Sequence, residues 1–330
     1  MISPAFEVVH RWEQAPRGWT ERSVLGVAVD SRDRVYLLTR DARLTLYNPD
    51  GSYAGTWGDS ILAGKTHCVR FAPDGSVFTV DDGDHTVRKF SPDGQLLLTL
   101  GVPGVPADTG YDQRYRGRDT FAACSSIERA GPPFNRPTSL AIAPSGELYV
   151  SDGYANARVH RFAESGAWLA SWGVPGTGPG AFNLPHGICA APDGRILVAD
   201  RENERIQIFS AQGQYVTEWT DVQRPSDVVV DREGLVYVTE LAWRIGERSF
   251  ASGLIEEARP GRLSVFDLDG KLLARWGGEP MCAPGNFCAP HALAVDSHGD
   301  LYVAEVTFTF AGKRGLVPQN CHSFQKFRRR

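Results

Sequence analysis

The sequence predicts an all-β chain folded as a six-bladed β-propeller, one domain over residues 1–330. Three observations carry this. A unit that pairs an apolar strand, a Pro/Asp-x-x-Gly turn and a second apolar strand ending in Asp or Glu recurs six times. Its copies open near Leu25, Thr66, Pro137, Pro185, Pro225 and Pro290. Each copy runs on into a third strand ending in Phe or Tyr: LTLY, VRKF, VHRF, IQIF, LSVF and FQKF. Helical periodicity is almost absent, while Gly and Pro punctuate short apolar runs.

The segment from Phe182 to Asp200, FNLPHGICAAPDGRILVAD, holds the unit in miniature. A Pro–His pair opens the strand Ile188 to Ala191, Pro192-Asp193-Gly194 turns the chain, and Ile196 to Ala199 returns it to Asp200 and Arg201. A fourth strand follows most copies and often ends Trp-Gly, as in Tyr53 to Trp57, Trp168 to Trp172 and Leu272 to Trp276. Four short antiparallel strands bury no face alone, so the copies must pack radially as blades. The blades fall at about 24–58, 66–101, 137–173, 185–219, 225–276 and 290–327. The last stops after its third strand at Phe327. The N-terminal segment 5–12 resembles Tyr215 to Trp219 and is expected to supply the missing strand, closing the ring and removing an open edge.

Long insertions lie at 102–134, 241–262, 278–289 and 306–322, either between blades or between second and third strands. Both kinds of loop leave an up-and-down blade on the same face, so one face is elaborated and carries the function. A formal charge of −4 gives no reason to expect nucleic acid or an acidic membrane surface as a partner. The opening residues lack the basic flank and apolar run of a signal peptide, which points to the cytoplasm. No stretch approaches membrane-spanning length. The six Cys follow no zinc-ribbon or CxxC spacing and read as free thiols, with one bridge among Cys282, Cys288 and Cys321 left open. A monomer or small homo-oligomer is expected.

Aligned on the Gly of the first turn, one slot at the start of the innermost strand holds Leu25, His67, Thr138, His186, Ser226 and His291. Histidine fills every second blade. Alternate blades of a six-fold ring stand about 120° apart and their inner strands line the channel. His67, His186 and His291 would then meet on the axis as three ligands of a metal with an open position, zinc or another divalent transition ion. The plainer reading has each imidazole capping a strand, but three of eight histidines in one register on alternate blades favour the metal. His10, His85, His160, His298 and His322 share no register and read as surface or structural.

The loop after the second strand opens beside the same mouth. It offers Arg40 in blade 1, Tyr154 in blade 3 and Arg201 in blade 4. Two guanidiniums suit a small carboxylate-bearing substrate. A Tyr near cations and a metal would have its pKa lowered toward general-base duty. Alternatively, Arg40 and Arg201 pair with Asp41 and Glu202, and Tyr154 packs against the next blade. The recurring acid at Asp82, Asp152, Asp200, Glu240 and Glu305 reads as architectural, accepting backbone amides at the blade corner.

The stretches SDGYANARVHRF (151–162), FNLPHGI (182–188) and ADRENERIQIF (199–209) resemble the peptidylglycine α-hydroxyglycine amidating lyase domain, a six-bladed NHL-type propeller. The resemblance is close over about 134–219 and repeat-level elsewhere. It implies zinc on His67, His186 and His291, Tyr154 as base, and Arg201 and Arg40 on the substrate. The implied reaction splits a carbinolamide, N–CH(OH)–COOH, into an amide and glyoxylate. Ala292 stands where that family has an Asp that helps hold calcium, so calcium does not carry over. Ala155, Leu197 and Ile208 stand where it has cysteines, which fits a reducing compartment. The insertions, with Tyr111, Arg114, Tyr115, Arg116, Trp243 and Arg244, are expected to roof the site and restrict it to a small substrate. Two other readings remain at this point: a non-catalytic NHL scaffold binding a protein through the elaborated face, and a calcium-dependent propeller lactonase.

Overall fold

The computed structural model describes residues 5–16, 23–40 and 43–330. Six four-stranded antiparallel sheets stand around a central channel as the blades of a propeller. Blade 4 is representative: Pro185–Ala190 innermost, then Ile196–Asp200, Arg205–Phe209 and Tyr215–Trp219 outermost. Its first strand starts at the Pro–His pair itself. The apolar faces of neighbouring blades bury one another. Tyr149, Val159, Phe182, Ile188, Val198 and Phe209 interdigitate between blades 3 and 4, where full burial contributes about 1.5–3 kcal/mol for each large apolar side chain.

The ring closes as the sequence leads one to expect. Phe6–Val9 forms the outer strand of blade 6, antiparallel to Phe324–Arg329, with Val8 opposite Phe327. Phe6 stacks on Trp276 of blade 5 at 5.3 Å. The paired strand is shorter than 5–12. Beyond it, Trp12 turns into the seam between blades 6 and 1, 5.3 Å from the Tyr302 ring and 5.9 Å from that of Tyr47.

Two local features set the site. A β-bulge interrupts the innermost pairing of every blade at the slot that holds Leu25, His67, Thr138, His186, Ser226 and His291. The bulged residue leaves the ladder, and in blades 2, 4 and 6 it is a histidine whose ring meets the other two. At the corners, carboxylates accept backbone amides ahead of the inner strand: Asp152 from Asn135 (2.9 Å), Asp200 from Asn183 (2.9 Å) and Glu305 from Cys288 (2.8 Å). In blade 2 this acid is Asp81, opposite Thr66 and accepting from Lys65 N, and not Asp82 as the repeat suggests. The Asp81-Asp82 pair leaves the choice open in sequence, and the ladder register decides it.

The insertions sit where the strand boundaries require. Residues 102–134 carry the helix Thr120–Ser125, 241–262 the hairpin Arg248–Ser249/Gly253–Leu254, and 306–322 the helix Thr307–Phe310. Phe121 and Phe250 stack at 4.2 Å and join the first two. Cys282 and Cys321 form a disulfide that ties 278–289 to 306–322, which corrects the free-thiol expectation for this pair. Cys68, Cys124, Cys189 and Cys288 are free.

Candidate metal centre

The three slot histidines meet on the axis. Their ring centroids form a nearly equilateral triangle of 5.1, 4.9 and 4.9 Å, and their candidate ligand atoms all lie within 4.8 Å of one another. The odd blades hold the rings in place. His67 Nδ1 lies 2.7 Å from Thr138 O, His186 Nδ1 2.5 Å from Ser226 O, and His291 Nδ1 2.6 Å from Leu25 O. A carbonyl only accepts, so each Nδ1 carries the proton and each Nε2 keeps its lone pair toward the channel. This is the outer support that orients metal-ligating imidazoles. Thr138 and Ser226 in turn donate their hydroxyls to Pro185 O and Pro290 O, both at 2.8 Å.

Burial holds His67 at about 4, with Arg40 and Arg201 adding to the effect, and drives His186 and His291 well below the ordinary value. All three are neutral near pH 7, the form that binds metal. Tyr154 Oη lies 2.8 Å from His67 Nε2 and 3.0 Å from His186 Nε2. A phenol has one proton and two acceptors face it, so the cluster has more lone pairs than protons. That donor set fits a transition cation.

Tyr154 reaches the axis because Gly153 passes against the next blade. A Cβ on Gly153 would lie 2.1 Å from Pro185 O. Burial raises the Tyr154 hydroxyl above its ordinary range, while Arg201 and Arg40 pull it down. The lowered value expected from sequence is therefore not supplied by the protein's own charges. Arg201, 5.8 Å above the Tyr154 ring, is buried, and its Nε donates to Glu202 Oε1 at 2.8 Å. The neighbouring-acid pairing is thus formed for Arg201, and it fixes the guanidinium at the channel mouth. Asp41, the acid considered for Arg40, lies outside the described residues.

Above the rings opens a cavity of about 440 Å³ lined by Arg40, Tyr154, Arg201 and His291. Below them the channel pinches to about 10 Å³, where the Arg70 guanidinium sits 3.2 Å from both oxygens of Asp227. This pair, with Asp227 buried and Arg70 partly so, plugs the axis. Sequence reading missed it because both residues belong to ordinary strand repeats. Arg224 was also missed. It pairs with Glu202 Oε1 (3.1 Å), stacks 4.2 Å from the Trp243 ring and shares the site with Arg201. The signal was the Arg before the strand-opening Pro225. Of the roof residues expected from sequence, Trp243 and Arg244 line the cavity. Tyr111, Arg114, Tyr115 and Arg116 do not: Arg114 is spent on Asp112 and Arg116 on Asp82. Phe121, Arg118, Arg248, Phe310 and Arg314 take their place.

The family model described as "NHL repeat" matches residues 134–162 and 182–209. NHL repeat-containing protein 3 of Mus musculus is 29% identical over 231 residues, 66% of this chain and 61% of that protein. Peptidyl-alpha-hydroxyglycine alpha-amidating lyase 1 of Drosophila melanogaster is 28% identical over 300 residues, 85% of this chain and 48% of that protein. The chain thus spans about half to two thirds of the length of these relatives. Among solved structures, virginiamycin B lyase from Staphylococcus aureus superposes with a TM-score of 0.58 at 14% identity, covering 98% of this chain and 99% of that one. That likeness establishes the six-bladed architecture.

Proposed function

We propose that this chain is a metal-dependent lyase that breaks a C–N bond at a hydroxylated carbon of a small, carboxylate-bearing substrate. One observation carries the reading: three neutral imidazoles present Nε2 lone pairs to one point, each fixed through Nδ1 by the carbonyl of the adjacent blade. His67, His186 and His291 would hold the ion, zinc or another divalent transition metal. Bound there, it would supply Lewis acidity toward the substrate's hydroxyl or carboxylate oxygen and positive charge beside Tyr154. Similarity to amidating lyases of the carbinolamide type supports the reaction class.

Arg201 and Arg40 orient the substrate carboxylate at the mouth of the channel. Tyr154 Oη, as the phenolate that a cation's charge beside it would favour once its own proton has passed to solvent, takes the proton of the carbinol hydroxyl. The C–O electrons close to a carbonyl as the C–N bond breaks, and the departing nitrogen takes up that proton from Tyr154 to leave as amide or amine. Calcium has no part in the proposal. The slot after His291 is Ala292, and an Arg70–Asp227 pair lies on the axis below. Among the described residues no helix is long and apolar enough to cross a membrane. The Cys282–Cys321 bridge supports an oxidising compartment over the cytoplasmic placement read from the N-terminus.

Elemental analysis of chelator-washed and reloaded protein, beside His186→Ala, tests the centre. About one transition ion per chain, lost in the variant, is the expected result. Glyoxylate release from carbinolamides then tests the reaction. A wild-type protein that is folded yet takes up no ion would sink the reading and leave the scaffold alternative in its place.

A further inference from the structure

The cavity above the histidines is far more cationic than one carboxylate needs. Seven arginines line it against two carboxylates, Asp119 and Glu247. The acids at hand are already engaged. Glu202 serves Arg201 and Arg224, Glu247 serves Arg224 and Arg244, and the Asp119 side chain accepts Ala122 N. Arg118, Arg248 and Arg314 have no carboxylate partner among the described residues. They come from three separate insertions, 102–134, 241–262 and 306–322, and converge on one space.

Their setting is built. The Arg248 guanidinium carbon sits over the Phe121 ring, 4.6 Å from its centroid, and Phe121 is itself stacked on Phe250. A guanidinium held against a ring by its π face keeps N–H donors for a planar or tetrahedral oxyanion. Arg118, Arg248 and Arg314 are solvent-exposed, and gathered about a cavity that already holds Arg40 and Arg201 they make its mouth electropositive toward an entering anion.

We propose that the roof forms a second anion subsite, so that the ligand of this cavity carries two anionic groups. One is held at Arg201 and Arg40, and this half rests on the proposed function. The other, a carboxylate or a phosphate-type group, is held at Arg118, Arg248 and Arg314.

The test is calorimetric titration of the chelator-washed full chain with three series. These are α,ω-dicarboxylates from succinate to suberate, the monocarboxylates of matching length, and ω-phosphonocarboxylates. At a preferred length, a dianion is expected to bind about tenfold or more tighter than its monocarboxylate. Arg248→Ala combined with Arg314→Ala should bring it down to the monocarboxylate level, as should Arg118→Ala in part. Arg114→Ala, an exposed arginine outside the cavity, should change nothing. Whether the dicarboxylate or the phosphonate leads identifies the outer group. Equal binding of mono- and dianions at every length, or a preference that survives the double variant in a protein of unchanged melting behaviour, overturns the subsite. Its fate is separable from that of the lyase reading. A chain that takes up no transition ion but prefers dianions keeps the subsite and loses the lyase. A metal-loaded, active chain without that preference does the reverse.

Discussion

The even and odd blades share one slot, one bulge and one backbone, yet they do opposite work. Blades 2, 4 and 6 place His67, His186 and His291 on the axis, while blades 3, 5 and 1 answer with the carbonyls of Thr138, Ser226 and Leu25. One half of the ring offers lone pairs and the other half orients them. A six-fold scaffold has become a three-fold centre by changing one residue in every second repeat. The lesson is that the partner that orients a candidate ligand need not be another special side chain. A main-chain oxygen held by the sheet suffices, and it tolerates Leu, Thr or Ser above it.

The sharpest way to break this comparison is at Tyr154, which reaches two of the histidine rings from outside the slots. Tyr154→Phe is expected to lower turnover on a carbinolamide by about 10²–10⁴ while metal content stays at wild-type level. Full turnover in the variant would remove Tyr154 from the chemistry. The next effect is on stability and belongs to the even blades. In metal-free protein the folded state holds His67 near 4, below the ordinary 6.5, so the unfolded chain binds the proton first as pH falls. Stability is therefore full above about pH 6.5 and declines toward pH 4, by about 3 kcal/mol for this one group. Denaturant titrations of metal-free wild type and His67→Gln across that window check it, the slope being shallower in the variant. The smallest effect lies in the odd blades. Ser226→Ala deletes the hydroxyl that donates to Pro290 O but leaves the carbonyl that holds His186. A loss of about 1 kcal/mol in stability with metal affinity retained is expected. A collapse of metal binding would show that the odd-blade side chains, and not their backbone, build the centre.

The candidate site was legible in the sequence only where repetition made a register. The slot could be counted along the chain, so the three histidines were found together. The same counting put Arg201 and Tyr154 at the mouth, because they lie one and two residues past the ends of their second strands. It failed at Asp81 and Asp82, where adjacent acids compete for one corner and only the pairing of Thr66 with Asp81 decides. It failed also in the roof. Arg118, Arg248 and Arg314 share no period, and what brings them together is packing between insertions, such as Phe121 on Phe250. Arg70 and Asp227 were invisible for a related reason: nothing local distinguishes a strand residue that spans the channel from one that does not.

The sequence by itself determined the blade count, the closing strand and the alternation of histidine around the ring. These follow from periodicity, since short strands with one apolar face have no stable solution but to stack on their like. The tertiary structure alone decided which nitrogen of each imidazole faces the axis, how Glu202 pins Arg201 and Arg224, where Cys282 meets Cys321, and which arginines share a cavity. Those depend on distances between residues far apart in the chain, set by how the blades and their insertions pack and by no pattern within any one of them.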